Sequence, residues 1–406
     1  MKRIKKKIFA LTASLLALLS FSSCNMMFVN PGTGNVVSSE SSSRRRKENS
    51  SKEKDSSSSE TSSQEESVML AITEPRDVVA LYIPAIKNYL EAGASADVGD
   101  YGRANNQYQG VEISWECDSD EVSRYVVEYA TKADYSDAFR KTVRDQTSLE
   151  VFNLYKATVY YLRVTAYNAK GKVLAQAEGT LETTDLGPRF MKVDGIYNVR
   201  DLGGYITQDG KRTVQGLLYR GGSLTPASVY PHDLTDEGKA YMSEVMGIKT
   251  EIDFRPPSEA GGHTESPIPG ANLVYITLGG YADAFGGYMQ SYRQLFSTLA
   301  VKENYPIYMH CTGGADRTGT VSFILNAMLG VSELECIQDY ELTSFSVYEE
   351  RNTRSGPYAK YYEEFRAQLD AYAGDTLQEK AEAYLIRIGV TKAEIDSIKA
   401  IMHGEK

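Results

Sequence analysis

Four cysteines in 406 residues are too few for a disulfide scaffold, and Cys24, Cys117, Cys311 and Cys336 lie scattered along the chain. Histidines number only four, and no His/Cys/Asp group has metal-ligand spacing, so no metal is expected. Positive charge is also short: 44 Lys and Arg against 54 Asp and Glu leave a net charge of −10, which argues against a nucleic-acid partner. There is no Gly-x-Gly-x-x-Gly element for a dinucleotide, and no cofactor is expected. The apolar run Ile8 to Leu19 is short for spanning a bilayer.

What is present begins with that run. Lys2, Arg3, Lys5, Lys6 and Lys7 precede it, and Phe21-Ser22-Ser23-Cys24 follows. This order resembles a bacterial lipoprotein signal over residues 1–24, which implies export, a lipid on Cys24 and attachment to the outer face of the cell membrane; an uncleaved N-terminal anchor is the other reading. Residues 25–67 are dominated by serine together with Lys, Arg and Glu, a composition that cannot bury enough apolar surface to fold and reads as a tether.

Residues 69–185 alternate apolar and polar positions, as at Val111, Ile113 and Trp115 or Tyr125, Val127 and Tyr129. That period of two predicts strands and no helix of any length. The strings around Trp115, Tyr125 and Leu154–Asn168 resemble a fibronectin type III module, an immunoglobulin-like all-β sandwich. The resemblance makes Trp115 the core residue of the second strand and gives the tyrosine corner to Tyr160 or Tyr161. Such a module implies a protein or glycan partner. Thr183 to Pro188 is the linker out.

The densest chemistry lies at His310-Cys311-Thr312-Gly313-Gly314-Ala315-Asp316-Arg317-Thr318-Gly319. Tyr305 to Met309 predicts a buried strand and Thr320 to Leu329 a helix, so this glycine-rich stretch joins a strand to a helix N-terminus. A loop so placed can aim successive N–H groups at one point, with the positive end of the helix dipole behind them. A cysteine at that focus is expected to react as its thiolate, the form that attacks phosphorus. Arg317 can fork onto two phosphate oxygens in a way lysine cannot copy. Thr318 can donate to the sulfur as it leaves, and His310 is expected to bond the loop backbone.

These residues resemble the signature of the cysteine-dependent tyrosine phosphatase superfamily, and the Asp-Arg-Thr-Gly ending is similar to its bacterial atypical tyrosine and dual-specificity branch. Residues 198–205 (NVRDLGGY, with Arg200 and Asp201), 216–224 (GLLYRGGSL), 247–255 with Glu259 beyond them, and Asp339-Tyr340 resemble further elements of that family in the same order. The resemblance implies an α/β domain over 190–403, a central sheet flanked by helices, that hydrolyses phosphomonoesters through a phosphocysteine. Its phosphate loop is Thr312, Gly313, Gly314, Ala315, Asp316 and Arg317. Ala315 stands where the branch often has lysine, which favours phosphoprotein or small phosphomonoester substrates, phosphotyrosine first, over phosphoinositides. The general acid stays open between Asp316, within the loop, and Asp253, at a strand's C-terminal end with Arg255 beside it. A phosphopeptide-binding pseudophosphatase and an adhesion lipoprotein are the rival functions. Cys117 and Cys336 read as buried core. Residues 279–292, rich in Gly and Tyr, read as a lid, an aromatic wall or plain packing, and Thr391 with Glu394 as a capping box.

Overall fold

The computed structural model describes residues 67–104, 106–226, 230 and 233–405. The signal, Cys24 and all but the last residue of the serine-rich stretch lie outside them. No helix among the described residues is long and apolar enough to cross a membrane.

The first module is built from β1 (Leu70–Glu74), β2 (Val111–Cys117), β3 (Val122–Ala130), β4 (Phe139–Val143), β5 (Ser148–Val151), β6 (Val159–Asn168) and β7 (Val173–Glu182). They form two antiparallel sheets, β1-β2-β5 and β4-β3-β6-β7. Alternation decides which side chains face inward: Val111, Ile113 and Trp115 from β2 meet Tyr160, Leu162, Val164 and Ala166 from β6, all buried. Tyr160 is the corner residue, its hydroxyl accepting from the Tyr155 N–H at 2.8 Å.

Two expectations for this module are corrected. A helix, α1 (Pro84–Ala92), interrupts the strands between β1 and β2. Pro84 opens it with a φ suited to the first turn, and Ile86, Tyr89 and Leu90 recur at helical spacing and are buried. In a segment this short the helical pattern is hidden by the strands around it. Cys117, expected in the core, is only half buried because it ends β2, where the sandwich opens to solvent.

The second module has a six-stranded mixed sheet in the order β12-β11-β13-β10-β9-β8. Its strands are β8 (Arg189–Phe190), β9 (Arg200–Asp201), β10 (Leu218–Gly221), β11 (Thr250–Asp253), β12 (Asn272–Tyr275) and β13 (Ile307–His310). The four from β12 to β10 run parallel, in a register that sets Asp253 and Gly221 on either side of His310. Their C-terminal ends therefore open at one point, the usual place for a ligand in such sheets.

Helices α2 (Asp236–Ala240), α3 (Met289–Leu299), α4 (Asp316–Leu329), α5 (Glu333–Glu341), α6 (Gly356–Asp370), α7 (Leu377–Arg387) and α8 (Lys392–Met402) complete it. Every residue of α4 from Thr318 to Leu329 is buried, which explains its small and apolar composition. Gly330, at φ 84°, ends it in the left-handed conformation. The capping box at Thr391 and Glu394 is present, and Thr376 with Glu379 forms a second. Residues 279–292 are largely packing, with Ala284 and Tyr292 buried, but Tyr281 turns toward the loop after β13.

Tyr160→Phe removes the acceptor of a partly buried N–H and should cost about 1–2 kcal/mol. Tyr161→Phe should stay within about 0.5 kcal/mol of the parent. Urea unfolding of both variants checks the assignment, and equal losses would remove Tyr160 from the corner.

Candidate active site

Cys311 follows β13 directly and is 3% exposed. In a trans peptide the carbonyl of one residue and the N–H of the next point to opposite sides, so a loop whose carbonyls are drawn outward turns its amides inward. Four successive carbonyls here have an outside partner. His310 Nδ1 lies 3.2 Å from Cys311 O, and the Ser223 N–H donates to Thr312 O at 3.0 Å. Asn198 Nδ2 donates to Gly313 O at 3.0 Å and Arg220 Nη2 to Gly314 O at 2.6 Å. The N–H groups of residues 312–315 are thereby aimed at the space above the sulfur. Among the described residues no side chain caps α4, so its first-turn amides add to the same field.

Gly314 has φ +64° and its Cα faces Gly221 O, so a side chain there would be strained in backbone and collide with the strand. Gly313 lies against the ring of buried Tyr348.

Arg317 donates Nη1 and Nη2 to Glu259 at 3.0 and 2.7 Å, and Thr312 Oγ1 donates to the same carboxylate at 2.6 Å. The Arg317 guanidinium, working against partial burial, holds the Glu259 carboxyl below its ordinary range, with help from Thr312. Thr318 is fully buried and its hydroxyl has no hydrogen-bond partner among the described residues. Ala315 is buried and brings no charge to the site.

The two candidate acids sit in different surroundings. Asp253 is 1% exposed; both its oxygens receive Arg255 Nε, Oδ2 also takes Arg255 Nη2 at 2.7 Å, and Oδ1 takes the Arg255 N–H. Asp316 keeps 38% of its side chain exposed at the loop. Arg351 Nε and Nη2 fork onto its two oxygens at 2.7 and 3.1 Å, and the Tyr281 hydroxyl donates to Oδ1. Burial, then Asp316 and Tyr340, push the Tyr281 phenol up, so it remains a neutral donor.

Strand register also brings His310 to Glu251 and Asp253, two residues apart on β11 and the first of them 59 residues before it, with ligand atoms all within 4.8 Å of one another. No such cluster was legible in the spacing. His310 Nε2 lies 2.8 Å from Glu251 Oε1, and Arg255 is spent on Asp253. An imidazolium donating from both ring nitrogens balances two carboxylates together with Arg255. Burial lowers the His310 pKa, but Asp253 and Glu251 outweigh it and raise it above the ordinary value.

Arg200 and Asp201 lie one layer back. Arg200 donates to Asn198 Oδ1 and to Asp339, which also receives Arg220. Asp201 accepts from Arg189 and from the N–H groups of Gly203 and Gly216, so its partners belong to the domain junction rather than to the loop. Cys336 lies on α5, buried, and burial pushes its thiol up. The roles of Asn198, Ser223, Arg220 and Arg351 were not assigned from sequence; the first three stand inside the family-like strings, which was the available signal.

Residues 191–404 match the model of the tyrosine phosphatase family, and residues 102–180 that of the fibronectin type III domain. The "Putative tyrosine-protein phosphatase" of Cupriavidus necator is 28% identical over 179 residues, 38% of this chain and 63% of that protein. A tyrosine-protein phosphatase of Nostoc commune is 25% identical over 133 residues, 27% of this chain and 45% of its own length. The chain thus spans less than two thirds of either relative. Among solved structures, the catalytic core of the PP-IP phosphatase SIW14 from S. cerevisiae is 15% identical with a TM-score of 0.27, over 48% of this chain and 88% of that one.

Because the folded pKa of His310 is raised, its contribution to stability is fully present below about pH 6.5 and is lost as pH rises through the folded value. Urea midpoints across that interval should fall with pH in the parent and less steeply in His310→Gln, which cannot titrate. Parallel slopes would show that the imidazole is not charged in the fold.

Proposed function

Since the chain belongs to the tyrosine phosphatase family, we propose that it hydrolyses phosphomonoesters, protein phosphotyrosine first among them, through a phosphocysteine on Cys311. The observation that carries this reading is the set of four carbonyls turned outward around Cys311, which leaves an amide-lined anion cradle above the sulfur with Arg317 at its edge.

The phosphate dianion binds to the N–H groups of 312–315, and Arg317 forks onto its equatorial oxygens. Glu259 holds the guanidinium in plane for that contact. The Cys311 thiolate attacks phosphorus in line, forming the S–P bond as the P–O bond to the leaving group breaks. Asp316 gives its proton to the leaving oxygen. Water then attacks the phosphocysteine, Asp316 takes its proton, and the S–P bond breaks to release orthophosphate. As the sulfur leaves, the unengaged hydroxyl of Thr318 donates to it.

Each aspartate is forked by an arginine, but access favours Asp316 over Asp253 as the acid, since Asp253 is 1% exposed and Asp316 keeps 38% of its side chain open at the loop. The uncharged, buried Ala315 supports singly phosphorylated substrates, and the stacked rings of Tyr281 and Tyr361, 5.3 Å apart beside Asp316, suit an aromatic leaving group.

Cys311→Ser should abolish burst and steady-state release from an aryl phosphate while leaving the unfolding midpoint in place. Arg317→Lys should lose more than about tenfold in kcat/KM, or 1.4 kcal/mol. Turnover by Cys311→Ser would overturn the phosphocysteine. A loss smaller than tenfold in Arg317→Lys would take that residue off the phosphate.

Asp316→Asn should lose activity strongly on alkyl phosphates, whose leaving groups need a proton, and far less on aryl esters with acidic leaving groups. Asp253→Asn should affect both classes alike. The reverse pattern would move the acid to Asp253, and a panel of phosphotyrosine, phosphoserine and phosphoinositides run on the parent enzyme checks the substrate class.

A further inference from the structure

The β-sandwich module reaches the layer directly behind the phosphate loop, and one of its side chains completes the hydrogen-bond set that orients that loop. Gln107 lies just before β2, within the segment that matches the fibronectin type III model, and is 3% exposed. Its Nε2 donates to Leu342 O at 2.6 Å and to Asn198 Oδ1 at 3.1 Å. Asn198 Oδ1 also accepts from Arg200. With two donors on its oxygen, the Asn198 amide can present only its nitrogen to the other side. There Nδ2 meets Thr343 Oγ1 at 3.2 Å and the loop carbonyl Gly313 O at 3.0 Å.

We infer that Gln107 is a positioning residue for the phosphatase reaction: together with Arg200 it sets the place and direction of the Asn198 amide, which turns the Gly313 carbonyl outward and so aims the Gly314 N–H at the phosphate. The inference rests on the phosphocysteine reading above and deepens it, because it makes the sandwich part of the catalytic unit rather than a separate binding module.

The junction is built to hold that relation. Leu342 and Phe345, which follow α5, belong to the sandwich's own hydrophobic cluster, as does Phe190 of β8. Tyr89 of α1 packs 5.8 Å from Phe345, and its hydroxyl donates to the buried Glu341. Arg103 donates to the carbonyl of Tyr348, whose ring lies on Gly313. Apolar continuity keeps the spacing, and the polar contacts keep the register.

The test uses the full chain with Gln107→Glu and Gln107→Met. In Q107E an ionised carboxylate would face Asn198 Oδ1 and Leu342 O while Arg200 still holds that amide oxygen, so the repulsion shifts the Asn198 amide away from its place behind Gly313 O. A protonated carboxylic acid is again a donor. With one hydrogen for two acceptors the acid restores part of the pattern, so the ratio of Q107E to parent kcat/KM on an aryl phosphate should titrate, recovering toward one at low pH and falling about tenfold or more as pH rises. Q107M, nearly isosteric and uncharged, should lose activity by a similar factor with no pH dependence in the ratio, at temperatures where its unfolding curve shows a folded protein. A merely structural role would shift the midpoint and leave both ratios near one, and that result overturns the inference.

Failure of the underlying reading is distinct, since it is an inactive parent. In that case orthophosphate binding by calorimetry reads the cradle directly: weaker binding in Q107E and Q107M than in the parent supports the positioning role, and equal binding in all three refutes it.

Discussion

The outward pull on the carbonyls of Cys311 to Gly314 is the constraint on which the rest of the catalytic module depends. A peptide has no freedom to send its C=O and the following N–H to the same side, so each partner found behind the loop fixes one amide in front of it. This explains why so much charge is buried there. Arg200, Arg220 and Asp339 are almost completely inaccessible and form one network. Burial alone would raise the Asp339 carboxyl, but Arg220 and Arg200 hold it below the ordinary carboxylate range. Removing Asp339 would strand two guanidinium charges in a low-dielectric interior, a loss of about 3–5 kcal/mol. The network is costly to build and rigid once built.

A second balance lies at the end of β13. Two carboxylates, Glu251 and Asp253, face one guanidinium and one imidazole in a space without water-exposed edges. The sum is neutral only with His310 protonated, and its Nδ1 then has a hydrogen for Cys311 O. On the other side Glu259 gathers Thr312 and Arg317, keeping the one strong cation of the loop extended at the mouth. Each carboxylate beside the loop is thus committed to a cationic partner.

The two modules share this scaffold. The hydrophobic cluster of the sandwich runs through Phe190, Leu342 and Phe345 into the catalytic module, and Arg189, paired with Asp201 of its own sheet, crosses the junction to Leu154 O and Asn153 O. The linker between them is held as well: Lys156 Nζ donates to Gly187 O at 2.7 Å and Arg212 forks onto Asp185.

Most of what depends on near neighbours in sequence was legible. The strand, loop and helix around Cys311 follow from a short apolar run, two glycines and a run of small residues, and Trp115, Thr391 and Glu394 take the places that period and capping chemistry assign them. The helix α1 was missed because nine residues hold too few turns for its period to stand out among strands. What tertiary structure decided is everything set by register across long separations. Gln107 and Asn198 are 91 residues apart, and Asn198 and Gly313 are 115. Nothing local in a glutamine or an asparagine records such a partner. The surroundings of the two aspartates diverged for the same reason. Asp253 and Asp316 are equal as residue types, and only the packing of β11 beside β13, with Arg255 folded back over it, buries one while α4 leaves the other open at the loop.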